Sequence, residues 1–176
     1  MTEQLPYSVI GRIDGVEIRR YPEHVLVRTR ERGDFGAASY RAFNPLFQYI
    51  SGNNAAGARI AMTAPVLQEE ISAQQHDVSF VMPQAMSAEK VPTPNDPRLD
   101  AVPVDAYDAA VLSFRGTWSE RNMHEQAEVL RRRVEQAGLK TAGTVMFARF
   151  DPPWKPWFLK HNEAILRLAE PYRVMK

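Results

Sequence analysis

There is no cysteine anywhere in the chain. That excludes disulfides, zinc held by thiolates, iron–sulfur clusters and a cysteine nucleophile. An excess of charge of one sign is missing too: the formal balance is +1, so nothing marks nucleic acid as the main partner. No apolar run comes near the roughly 18 residues that a membrane-spanning helix requires. The opening MTEQLPYSVIGRIDG lacks the basic start and apolar stretch of a signal peptide. These absences together predict a soluble, cytoplasmic protein without a transmembrane segment. Signatures of common catalytic sites are also lacking, with no G-x-S-x-G elbow, no P-loop and no G-x-G-x-x-G. The four histidines, His24, His76, His124 and His161, show neither HxH nor HExxH spacing. Each reads as a structural or surface residue, with His76 placed in a polar, solvated loop. Asp151 and Glu163 flank a loop, but nothing pairs them as acid and base. The expectation is a binding protein with no catalytic residues and no assigned metal ligand.

What is present is a chain of 176 residues, long enough for one domain with a real core. Val16–Tyr21 (VEIRRY) alternates apolar and polar residues as a half-buried strand does. His24–Arg32 resumes the alternation after Pro22-Glu23, which predicts an antiparallel pair joined by a tight turn. Asp34 stands where a helix N-cap belongs. Phe35, Ala42, Phe43, Leu46, Phe47 and Ile50 then form one apolar helical stripe, ended by Gly52. Pro45 inside it predicts a kink or a restart. Arg59–Gln68 and Asp77–Met82 read as two further strands. Five prolines, Pro83, Pro92, Pro94, Pro97 and Pro103, make 83–103 a stiff connection without an element of its own.

The same order then recurs. Val102–Tyr107 and Ala109–Gly116 read as strands. Ser119 caps a helix with the stripe Met123, Ala127, Leu130, Val134 and Ala137, closed by Gly138. Thr144–Phe150 and Glu163–Ala169 are the last strands. The reading is an α+β protein made of pseudo-twofold, duplicated ββαββ units, about 16–83 and 102–170, within a single domain over 1–176. Its mostly antiparallel strands curl into a distorted barrel-like sheet carrying two helices.

The loop between the last two strands contains DPPWKPWF, Asp151–Phe158, with three prolines, a lysine and two of the chain's three tryptophans. Prolines make a loop, yet loops are seldom so aromatic. One reading is a small core that pins a long hairpin; the other is a ligand wall, and a pinned loop makes a better wall. IAMTAPV (Ile60–Val66), DPPWKP and HNEAILRL (His161–Leu168), with VEIRRY and QYISGNN (Gln48–Asn54), resemble the SOUL, or heme-binding-protein, family over residues 16–170. The resemblance implies a distorted barrel of two repeats. It also implies reversible binding of heme or another tetrapyrrole, for buffering or transport, in an open cleft between the first helix and the 151–158 loop. Carried over by position, Phe43 and Phe47 form the apolar wall, Lys155 meets an anionic edge, and Trp154 and Trp157 offer ring faces. Two basic positions of heme-binding members correspond to Tyr40 and Gln48 here, which keep hydrogen-bonding capacity but no charge. Tyr40 is also a possible iron ligand.

Each of these features has a plainer reading. Phe43 and Phe47 on a helical stripe are core residues in most helices. Met62 within IAMTAPV is able to contact a ring, but a strand of small and branched residues turning at Ala64-Pro65 packs a core. Arg28, Arg30 and Arg32 alternate along one strand face and read as a solvated surface. Two alternatives to tetrapyrrole binding stay open: an effector-binding domain for another small apolar or cationic molecule, and a ligand-free interaction module that uses the aromatic loop as its contact patch.

Overall fold

A computed structural model describes residues 2–152 and 154–174 of the chain. In chain order the elements are β1 (Glu3–Gln4), β2 (Ser8–Ile13), β3 (Val16–Tyr21), β4 (His24–Arg32), α1 (Phe35–Ile50), β5 (Thr63–Ala64), β6 (Val66–Ser72), β7 (Gln75–Val81) and β8 (Leu99–Val104). They continue with β9 (Tyr107–Arg115), α2 (Glu120–Gln136), β10 (Met146–Arg149), a 3-10 turn (Trp157–Leu159) and β11 (His161–Arg167). The α+β class and the two helices stand as the alternation and the helical stripes predict. Backbone contacts divide the elements between two units. One holds Glu23–Asp105 with the N-terminal residues up to Leu5; the other holds Pro6–Pro22 with the chain from Ala106 onward.

In the first unit β4 is the central strand, antiparallel to β7 on one side and to β8 on the other, and β7 continues antiparallel to β6. Helix α1 packs on β4 and β7. Asp34 caps it as predicted, its Oδ1 accepting from the Ala37 N–H at 2.8 Å. The apolar stripe splits in two. Phe35, Ala42, Leu46 and Ile50 are buried and, Phe35 apart, join Val25, Val27, Val78 and Phe80 in the core. Phe43 and Phe47 sit at its rim. The helix runs through Pro45 without a restart.

Three readings are corrected here. β3 and β4 do not form a hairpin, because β3 pairs with β2 and β9 while β4 pairs with β7 and β8. Arg59–Gln68 is not one strand: residues 59–62 are irregular, and Pro65, with no N–H to give a ladder, separates β5 from β6. The proline-rich stretch is not free of elements either. Leu99–Val104 is a strand beside β4, and Pro103 is tolerated there because no strand of this unit lies on the far side of β8.

The rest of that connection is tied down within the first unit. Tyr49, fully buried, donates its hydroxyl to the Pro92 carbonyl at 2.6 Å. The Ala55 N–H reaches the Thr93 carbonyl at 2.8 Å. Asn54, 3% exposed, donates to the Tyr49 and Ala58 carbonyls and accepts from the Ala58 N–H. The QYISGNN segment is thus a helix end whose last carbonyls are met by the N–H groups of Ser51, Gly52, Asn53 and Ile60, with the Asn54 side chain tying the Tyr49 carbonyl to the loop at Ala58. IAMTAPV is held by the N-terminus: β1 lies parallel to β5, and the Leu5 N–H donates to the Ala64 carbonyl at 2.9 Å.

In the second unit β9 is central, antiparallel to β3 and β11, with β2 beyond β3 and β10 beyond β11. The β2–β3 hairpin turns on Asp14-Gly15, with φ of 41° and 75°, the left-handed pair that a two-residue turn demands. Helix α2 packs on β9 and β11 and buries Met123, Ala127, Leu130 and Val134 of its predicted stripe, while Ala137 is the C-cap and only half-buried. Ser119 caps it through the Asn122 N–H.

Candidate functional site

The predicted site residues fall in both units, and each set has its own geometry. In the first unit, Tyr40, Phe43, Phe47 and Gln48 all lie on exposed positions of α1. Tyr40 is 86% exposed, Phe43 45% and Phe47 48%, values that separate them from the buried members of the stripe. The Phe43 and Phe47 rings are nearly parallel, 14° apart with centroids at 5.8 Å, and Phe43 also meets the buried Phe80 ring edge to face. The pair is therefore anchored from below by Phe80 and half-exposed above, an apolar patch about one helical turn long. The nearest cation in sequence, Arg41, donates instead to the Arg32 carbonyl at 2.9 Å.

In the second unit, the loop from Asp151 to His161 carries Trp154, Lys155 and Trp157; Pro153 lies outside the described residues. Trp154 is 84% exposed and Trp157 63%, so the tryptophans do not make a mini-core. The Trp157 ring instead meets Phe158 edge to face. The loop is pinned by its polar groups. Asp151 Oδ1 accepts from Lys155 Nζ at 2.7 Å, and Oδ2 accepts from the His161 N–H. Burial pushes the Asp151 carboxyl up, but the His161 and Lys155 hydrogen bonds outweigh it and hold the group below the usual carboxylate range. Lys155 is thus already half committed. Replacing Asp151 by alanine is expected to cost about 1–3 kcal/mol of stability and to speed amide exchange at His161; unchanged exchange there would show that the carboxylate does not hold the loop.

Sequence reasoning missed the most buried charges in the unit. Arg19 and Glu163, each 2% exposed, form a bidentate pair across β9, with Nη1–Oε1 at 2.8 Å and Nη2–Oε2 at 2.9 Å. Arg19 also donates to Glu17 and to the Tyr21 hydroxyl, and its guanidinium lies 3.8 Å from the Tyr7 ring centroid. His161 Nε2 and Ser113 Oγ approach Glu163 Oε2 at 3.1 and 3.4 Å. Burial alone would raise the Glu163 carboxyl; the His161 and Arg19 hydrogen bonds overcome it and hold it low. Alternation flagged VEIRRY as a half-buried strand, but alternation does not say that a charged residue on it will be covered. A groove of about 360 Å³ elsewhere in this unit is lined by Arg20, Tyr107, Asp108, Leu168 and Pro171, and it contains none of the predicted residues. Arg20 is tied there to Asp108 at 2.8 and 2.9 Å, and burial pushes the Tyr107 hydroxyl up to about 12.

Other readings are settled residue by residue. His76 is not in a solvated loop: it is fully buried on β7, its Nδ1 3.3 Å from Gln68 Nε2 and its ring edge-on to Phe35. A histidine after Gln74-Gln75 looks like loop only until β6 and α1 cover it. His124 is exposed, as expected. Arg30 is not merely solvated, since it makes a bidentate pair with the buried Asp77.

The model of the SOUL heme-binding protein family matches residues 2–167. The chain belongs to that family. No curated protein matches it. Among solved structures, the C-terminal domain of EcmrR superposes with a TM-score of 0.69 at 11% identity, over 94% of this chain and 99% of that one. A protein described as a hydrolase from Listeria innocua gives 0.61 at 13% identity, over 91% and 94% of the two chains. An uncharacterized conserved protein, also from Listeria innocua, gives 0.57 at 18% identity over 86% and 91%. At such identities the likeness is one of fold. Among the described residues of this SOUL-family chain, no helix is long and apolar enough to cross a membrane.

Proposed function

We propose that this SOUL-family protein binds heme or a related tetrapyrrole reversibly, as a buffer or carrier rather than as a catalyst. The observation that carries the reading is the Phe43–Phe47 pair. Two near-parallel rings are held half-exposed on α1, where a helix stripe would ordinarily bury them. A porphyrin is apolar on its faces and anionic at one edge, so an exposed aromatic patch suits its ring. Tyr40 and Gln48 on the same helix are proposed to hydrogen-bond the ligand's periphery. The loop residues Trp154, Lys155 and Trp157 supply ring faces and a cation of their own, and they are proposed as ligand contacts in their own right.

An open surface buries less of a ring than a pocket does, so affinity on the order of micromolar is expected. Titration with hemin, followed at the Soret band, should saturate near one equivalent. Protoporphyrin IX, followed by tryptophan quenching, should saturate as well. Phe47→Ala removes about 1 kcal/mol of ring contact and should weaken hemin roughly fivefold. Absence of saturable binding by either ring would sink the reading.

A second reading has its own observation. The exposed side of α1 presents Tyr40 and Gln48 where cations would favour propionates, and Arg41 is turned to a backbone carbonyl. An uncharged aromatic surface of this kind also suits a cationic aromatic effector. Saturable binding of a cationic dye without binding of hemin would put that reading first. A dimer lost on changing Trp154 and Trp157, with no small ligand bound, would favour an interaction module.

A further inference from the structure

His161 lies beside the aromatic loop, yet nothing in its spacing singles it out. Its setting does. The side chain is 42% exposed, while Nε2 lies 3.1 Å from Oε2 of Glu163, whose own side chain is 3% exposed. Glu163 takes both arms of the Arg19 guanidinium, at 2.8 and 2.9 Å, the second on the same Oε2, and a carboxylate in such a pair only accepts hydrogen bonds. The Nε2 atom is therefore the donor, which fixes the tautomer of the neutral ring and leaves the Nδ1 lone pair free. Among the described residues Nδ1 has no hydrogen-bond partner, and it is not among the buried unpartnered atoms. The ring is steadied by Phe150, with centroids 4.9 Å apart, and the backbone by the Asp151 carboxylate.

An imidazole that gives one N–H to a buried carboxylate and keeps its other nitrogen bare is the arrangement of a metal-ligating histidine, because the carboxylate fixes the tautomer and orients the ring. Asp151 places a cation in the same setting: the carboxylate that accepts the His161 N–H also accepts from Lys155 Nζ. An anionic ring with iron at its centre needs both, a cation for its edge and a lone pair for its metal. Trp154 and Trp157 expose ring faces on the same loop.

We infer that His161 is an axial ligand, through Nδ1, for the iron of a porphyrin held at the 151–161 loop, with Glu163 as its orienting partner. The inference rests on the tetrapyrrole reading and adds to it a ligand that the ring alone does not require. Iron-free protoporphyrin IX separates the two. In the full chain, His161→Ala should change the Soret and electron paramagnetic resonance signature of bound hemin and weaken hemin by about tenfold or more, the scale on which metal-site partners act. It should leave protoporphyrin IX binding within about twofold, since no metal bond is lost there. Nitrogen-15 NMR of the ligand-free protein should find the neutral ring protonated on Nε2. His161 is partly exposed, so the variant should fold, and His161→Gln gives a second test that retains the hydrogen bond to Glu163.

Hemin spectra and affinity unchanged in both variants would overturn the ligation and leave ring binding intact. An Nδ1-protonated neutral tautomer would overturn it as well. Failure of the unaltered protein to bind either ring would overturn both readings. Parallel losses of hemin and protoporphyrin IX in the variants would make His161 a wall residue instead of a ligand.

Discussion

Arg19→Met should destabilise the protein by about 3–5 kcal/mol. The substitution keeps the apolar stem of the side chain and removes its charged end. What remains is an ionised Glu163, 2% exposed, with its bidentate partner gone. His161 alone cannot replace two charge-assisted bonds, and the Tyr21 hydroxyl loses the Arg19 donor in the same step, while Glu17 keeps Arg12. The partner change, Glu163→Leu, leaves the guanidinium with Glu17 and the Tyr21 hydroxyl and should cost less. The double variant should be far less damaged than the sum of the two, because replacing a buried pair by apolar groups is often close to neutral. Denaturant unfolding of the four proteins completes the cycle. A loss below about 1 kcal/mol for Arg19→Met would mean that water reaches the pair, and that it acts as a surface ion pair does.

The same pair sets a pH dependence. The Glu163 carboxyl is held below its ordinary value in the folded protein. Its contribution is therefore complete above the unfolded value of about 4.3 and lost as pH falls through the lower folded value. Asp108 and Asp151 are shifted in the same direction, by Arg20 and by the His161 and Lys155 bonds respectively. Stability should fall on the acid side of that range, and less steeply in the Arg19→Met/Glu163→Leu double variant. Equal acid sensitivity of the two proteins would remove Glu163 from the account.

The second large effect is expected at Tyr49, where alanine should cost about 3–5 kcal/mol. Tyr49 is the largest fully buried side chain in the protein. Its ring fills the core between α1 and the strands beneath it, among Leu46, Ile60, Phe80 and Leu99. Its hydroxyl is bound to the Pro92 carbonyl at 2.6 Å, and burial pushes that hydroxyl up to about 12. Phenylalanine at this position keeps the ring and loses one hydrogen bond, so it should cost only about 1 kcal/mol. The difference between the two variants measures packing against tethering. The Phe variant should also free the 83–98 segment, read as faster amide exchange at Ala55, whose N–H is bonded to Thr93. If Tyr49→Phe proved as damaging as Tyr49→Ala, the proline-rich segment, and not the core, would be the main thing Tyr49 holds.

Much of this protein is local, and local features were legible. Asp34 and Ser119 are caps because a short side-chain oxygen meets helix N–H groups wherever a helix begins. The Met123–Val134 stripe needs only the helical period. VEIRRY and HVLVRTRER are strands by alternation alone. The Asp14-Gly15 turn is a local signal of the same kind, but Ser8–Ile13 before it has no buried residue and so little contrast between its faces. IAMTAPV, DPPWKP and their order along the chain were enough to point to the family.

What the chain could not announce is partnership across long separations. Nothing near VEIRRY says that it pairs with β9 rather than with the strand two residues on; hydrogen-bonding edges are alike, and only the assembled sheet selects among them. Pro103 argues against a strand until an edge position excuses it. On α1, Phe43 and Phe47 share the helical phase of Leu46 and Ile50, and the width of the surface beneath the helix decides which rings stay exposed. His76 is buried, and Arg19 meets Glu163, 144 residues away, because strands remote in sequence cover them. His161 gains its candidate role from that same Glu163 carboxylate. Period and capping are properties of neighbours in sequence, and so the sequence by itself determines the helices and the strands that alternate, though not the strands broken or occupied by proline. Burial and charge pairing are properties of neighbours in space, and only the tertiary structure decided those.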